Sequence, residues 1–143
     1  MSKTALLFIN GTPPKNLPNT EGYAIIACTD GAFHYLKEKN FTLEKLDFIS
    51  GDFDSHSGID ENIYHEKFIF TPDQNFTDFQ KALDILKNQG VQKVDVYGGS
   101  GGEQDHFLGN LHVAFLFKNE MEITFLTSFP DTFSFPKILK FTR

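Results

Sequence analysis

At 143 residues, with 40% hydrophobic and 22% charged side chains and 17 phenylalanines, the chain has the length and apolar content of one folded domain and not of a disordered tract. Its net charge of −6, without a run of Lys or Arg, argues against a nucleic-acid partner, because phosphate neutralisation carries most of that affinity. No apolar run approaches the ~20 residues of a membrane span, Ala5–Ile9 is too short for a signal-peptide core, and the lone Cys28 excludes an internal disulfide, so a reducing, cytoplasmic setting is expected.

Thr4–Ile9 reads as a strand closed by the breaker Asn10-Gly11-Thr12-Pro13-Pro14. Tyr23–Thr29 is a second strand, almost wholly apolar, as in a parallel sheet covered on both faces. Asp30-Gly31 then opens a helix to about Lys39, with Ala32, Phe33, Tyr35 and Leu36 on its buried side and Asn40 as a left-handed stop. Leu46–Ser50 is a third strand, ending in Gly51-Asp52-Phe53-Asp54-Ser55, and Lys67–Phe70 a fourth, ending in Thr71-Pro72-Asp73-Gln74. The clearest helix follows: Thr77-Asp78-Phe79-Gln80 fits a capping box, and Phe79, Ala82, Leu83 and Leu86 recur at i, i+3, i+4 and i+7 before Gly90. Lys93–Tyr97 is a fifth strand leading into Gly98-Gly99-Ser100-Gly101-Gly102. Asp105 is placed to cap the next helix, whose expected buried residues are Leu108, Leu111, Ala114 and Phe115, and Glu122–Thr127 is a sixth strand. The alternation predicts an α/β fold, an open and mainly parallel sheet of about six strands with helices on both faces. Residues 1–127 are expected to form that domain, and 128–143 a short tail.

Ligands of open α/β sheets sit at the carboxyl ends of the strands. That rule gathers Asp30, Asp52, Asp54, Asp73, Asp78 and Asp105 on one edge, along with Gly11, Gly31, Gly51 and Gly98–Gly102, where backbone must approach a ligand closely. Asp52 and Asp54 stand two residues apart, which in extended backbone directs both carboxylates to one side, as a Mg²⁺ site asks; a polar turn explains the pair equally well. Thr77 and Asp78 are capping residues first, but a helix N-terminus also receives phosphate through its free N–H groups. The glycine loop after the fifth strand is a plausible nucleotide cradle without a GxGxxG pattern. The histidines show no metal-ligand spacing, and Cys28, inside an apolar strand, reads as inert.

Taken in order, these segments resemble the N-terminal catalytic domain of thiamine pyrophosphokinases. The matching text is Asn10-Gly11-Thr12-Pro13-Pro14, Asp30-Gly31-Ala32, Gly51-Asp52-Phe53-Asp54-Ser55, Pro72-Asp73-Gln74 with Thr77-Asp78, and the Gly98–Asn110 run containing Gly-Gly-x-Gly-Gly-x-x-Asp-His. The resemblance implies transfer of pyrophosphate from ATP to the hydroxyl of thiamine, giving thiamine diphosphate and AMP, with Mg²⁺ and in a homodimer. It makes Asp52, Asp54, Asp73 and Asp78 the catalytic acids, with Asp52, Asp54 and Asp78 on the metal. Asp30, Gly31, Gln74, Thr77, Ser100, Gly101 and Asp105 would line the nucleotide and phosphate region. The family places Arg after the second Gly-Gly, where this chain has Glu103, and continues into a β-sandwich domain beyond the position of the tail. Both departures favour an alternative, a catalytically weak or inactive MgATP-binding fragment. A third reading, a haloacid-dehalogenase-like phosphatase, expects its DxD after the first core strand, whereas Asp52 follows the third.

Overall fold

The computed structural model describes residues 3–52, 65–73, 75–99, 104–126 and 138–141. Among these residues seven strands form one sheet: β1 (Thr4–Phe8), β2 (Ile25–Thr29), β3 (Phe48–Gly51), β4 (Phe68–Phe70), β5 (Lys93–Tyr97), β6 (Glu122–Leu126) and β7 (Ile138–Phe141). Their order is β4-β3-β2-β1-β5-β6-β7; all neighbours are parallel except β6 and β7, which are antiparallel. The expected six-stranded parallel sheet is therefore present, and the tail adds Ile138–Phe141 as an edge strand that the sequence did not announce.

Among the described residues three α-helices cover the sheet: α1 (Asp30–Glu38), α2 (Asp78–Asn88) and α3 (Gln104–Leu116). Period-two alternation divides the central strand between two cores. Leu6 and Phe8 of β1 join Cys28, Ile49 and the α1 residues Ala32, Phe33 and Leu36 on one face. Ala5 and Leu7 join Val94, Val96 and Ile123 under Phe79, Ala82, Leu83 and Leu86 of α2 and Val113 and Ala114 of α3 on the other. Burying each such Leu, Val or Phe side chain is worth ~1.5–3 kcal/mol relative to exposure, which holds helices to both faces.

Local signals set the element ends. Asn40 adopts φ +60° after α1, and Gly90 adopts φ +85° after α2. Thr77 Oγ1 accepts a hydrogen bond from Gln80 N at 3.1 Å, so the capping hydroxyl does what the motif predicts. Helix α3 departs from expectation in two ways. It begins at Gln104, so Asp105 lies inside its first turn and does not precede it as a cap. Leu108 and Phe115, expected inside, are 55% and 51% exposed, while Val113 and Phe117 are buried in their place. The cause is that polar and apolar residues are spread around α3, and a helix without a polar stripe does not announce which side turns inward. Among the described residues no helix is long and apolar enough to cross a membrane.

Candidate active site

The strand order reverses between β1 and β5: β2, β3 and β4 lie on one side of β1, and β5, β6 and β7 on the other. At such a point the loops part and leave a crevice at the carboxyl ends. Its floor is backbone. Ile9 N donates to Tyr97 O at 2.8 Å and Gly11 N to Gly98 O at 2.7 Å, while Tyr35 Oη donates to Ile9 O at 2.8 Å. Gly98 has φ +84°, and a Cβ there would overlap Ile9 O, so the position requires glycine twice over. From α3, Asn110 Nδ2 donates to Gly99 O at 2.9 Å and ties the glycine loop to the helix that follows it.

The acids fall along the β2–β3–β4 side. Asp30 is the first residue of α1 and only 6% exposed, and its carboxylate lies against Gly51, where a Cβ would overlap it. Glycine at 51 thus lets the ends of β2 and β3 close on each other, and half-buried Asp52 follows it at the end of β3. Asn10 packs on Gly31 in the same manner, a Cβ there meeting Asn10 Cβ at 2.7 Å. The edge continues through Thr71 N, which donates to Gly51 O at 2.8 Å. Beyond it, Lys81 Nζ donates to Thr71 O at 2.6 Å and Asp73 O at 2.8 Å and pairs with Asp78 Oδ1 at 3.5 Å. Asp73 Oδ1 accepts from Asn75 N at 2.9 Å, which shapes the turn leading to the Thr77 cap. Thr29 Oγ1, Ser50 Oγ and Thr71 Oγ1, at the ends of β2, β3 and β4, are buried without a hydrogen-bond partner among the described residues. Thr29 and Ser50 are direct cross-strand partners, so their two hydroxyls stand side by side.

Of the residues expected at the site, Asp30, Gly31, Asp52, Asp73, Thr77 and Asp78 therefore fall on one continuous edge. Asp105 sits in the first turn of α3, beyond β5. Asp54, Gln74, Ser100 and Gly101 lie outside the described residues. Among the described residues no three His, Cys, Asp or Glu side chains gather closely enough to hold a metal by themselves. Cys28 is fully buried; burial first, and the nearby Asp30 charge second, push its thiol well above the ordinary range, which agrees with an inert residue.

Sequence reading assigned no role to Asn10, Lys81 or Asn110. Lys81 had one available signal: a cation near a helix N-terminus opposes the helix dipole unless other oxygens hold it.

Residues 19–125 match the family described as thiamin pyrophosphokinase, catalytic domain. Among solved structures the fold is similar to thiamin pyrophosphokinase from Candida albicans, at TM-score 0.71 and 19% identity over 89% of this chain and 58% of that one. It is similar to thiamine pyrophosphokinase from Bacillus subtilis, at TM-score 0.67 and 22% identity over 87% and 60%. A probable thiamine pyrophosphokinase from Staphylococcus saprophyticus gives TM-score 0.64 and 26% identity over 87% and 65%. The chain spans about three fifths of the length of these structures. The family match covers most of the chain, and the two-sided α/β sheet agrees with it: the chain belongs to the thiamin pyrophosphokinase catalytic-domain family.

Proposed function

We propose that the chain acts as a thiamine diphosphokinase, moving the pyrophosphoryl group of ATP to the hydroxyethyl oxygen of thiamine and releasing AMP. In that reaction the thiamine oxygen forms a bond to the β-phosphorus, the bond from that phosphorus to the AMP oxygen breaks, and the hydroxyl proton passes to a carboxylate. The observation that carries the reading is the continuous edge from Asp30 through Gly51 and Thr71 to Asp78, set beside a glycine-floored crevice in a member of this family. Among the acids assigned to catalysis, Asp52, Asp54, Asp73 and Asp78, the hydroxyl proton would go to one positioned within hydrogen-bond reach.

The donor set suits Mg²⁺. This cation takes one or two carboxylates and fills its other positions with water and phosphate oxygens, so three clustered protein ligands are not required. Asp52, Asp54 and Asp78 are the carboxylates assigned to it, and the unpartnered hydroxyls of Thr29, Ser50 and Thr71 leave oxygen-bonding capacity at the same edge. When bound, the metal would neutralise phosphate charge that bare carboxylates repel. Asp30, Gly31, Gln74, Thr77, Ser100, Gly101 and Asp105 would line the phosphates, with the free N–H groups of the α2 N-terminus facing anionic oxygen. Exposed Leu108, Phe115 and Leu116 on α3 support a second copy of the chain as partner. The lone, buried Cys28 suits a reducing cytoplasm.

Glu103 favours a second reading, MgATP binding with little or no turnover, because a carboxylate cannot clamp phosphate as the family's Arg does. AMP release measured with ATP and Mg²⁺, with and without thiamine, separates the two. Thiamine-dependent AMP supports the kinase. Metal-dependent ATP binding without AMP supports the second reading, and no ATP binding refutes both.

A further inference from the structure

We propose that Lys81 is a positioning residue of this edge: its ammonium latches the loop between β4 and α2 and thereby sets where Asp73 and Asp78 stand. The role assigned to those two acids rests on the nucleotide reading above, whereas the latch itself rests on geometry. Lys81 is the fourth residue of α2, where a positive charge opposes the dipole of the helix N-terminus. Its side chain is 11% exposed, so water does little to offset that cost. What holds it there is three oxygens: Thr71 O at 2.6 Å, Asp73 O at 2.8 Å and Asp78 Oδ1 at 3.5 Å. An ammonium has three N–H donors, and these acceptors match them.

The acceptors come from one segment of chain. Thr71 is itself fixed to the end of β3 by its N–H to Gly51 O at 2.8 Å, and Asp78 begins the helix that carries Lys81. The ammonium therefore joins the first residue of the loop, an acid within it and the acid that follows its end. Two of its bonds go to main-chain carbonyls, so it restrains the backbone of the loop and not only one carboxylate. A loop without such a restraint samples many backbone states, and each acid would spend part of its time away from a shared ligand.

The test uses the full chain, with wild type compared with Lys81→Met, which keeps the length and apolar stem of the side chain, and Lys81→Arg, which keeps the charge and donors. Amide hydrogen exchange without ligand reads the latch directly. Lys81→Met should speed exchange across residues 71–78 and leave β1, β2 and β5 protected, while Lys81→Arg should stay near wild type. Calorimetric titration with ATP and Mg²⁺ reads the consequence: Lys81→Met should weaken binding about tenfold or more, since bonds to a charged donor are among the stronger ones, and Lys81→Arg should recover most of it. Unchanged exchange at residues 71–78 in Lys81→Met would overturn the latch, as would faster exchange throughout the sheet. MgATP affinity within twofold of wild type would overturn its role in placing the acids. Wild type failing to bind MgATP would instead refute the nucleotide reading, with the exchange result still deciding the latch.

Discussion

Single atoms decide how close the strand ends come. Gly98 combines φ +84° with a missing Cβ whose place is occupied by Ile9 O, whereas Gly90 has φ +85° and open space around it. Alanine at 90 should cost only the backbone conformational penalty, about 1 kcal/mol. Alanine at 98 pays that penalty and must also push apart β1 and β5 at their carboxyl ends, so Gly98→Ala should cost on the order of 3 kcal/mol or more. Urea unfolding of the two variants measures the difference, and equal losses would mean that the β1–β5 junction yields easily. Asp30 on Gly51 and Asn10 on Gly31 repeat the same device, a side chain placed where a neighbouring residue has none. The acids and glycines were legible in the sequence because the carboxyl-end rule needs only residue type and strand order. The pairing of a given acid with a given glycine was not, because it depends on how two strands far apart in sequence align.

Capping and terminating signals made most elements legible. Thr77, Asn40 and Gly90 each act through their own backbone neighbours, so their effect is local and readable. Thr77→Ala removes the acceptor for Gln80 N and should lower stability by about 1 kcal/mol; Thr77→Ser should restore most of it, and thermal unfolding of the pair checks this. A loss in Thr77→Ala that Thr77→Ser fails to recover would show that the methyl group, not the hydroxyl, matters. Helix α3 was legible as a helix but not in orientation, because Leu108, Phe115 and Leu116 on its outer side are as apolar as Val113 and Phe117 on its inner side. Strand β7 was missed for a different reason. Its four residues follow a Pro- and Phe-rich stretch of sequence that carries no helical periodicity, so the strand–helix rhythm that exposed the other strands does not reach it.

Across the molecule, chain direction turns local residues into a site. Because β2, β3 and β4 build outward from one side of β1 and β5 and β6 from the other, every loop at the carboxyl ends faces the same edge, and Asp30, Asp52, Asp73 and Asp78 arrive there from three different loops. An edge so rich in carboxylates should repel ATP alone and accept it with a divalent cation. Calorimetric titration of the chain with ATP, in Mg²⁺ and again in EDTA, tests this most directly. The expected result is binding in Mg²⁺ that disappears in EDTA and that Asp52→Asn weakens about tenfold or more. Equal ATP affinity in Mg²⁺ and EDTA, unaffected by Asp52→Asn, would contradict the assignment of this edge to a metal-bound nucleotide.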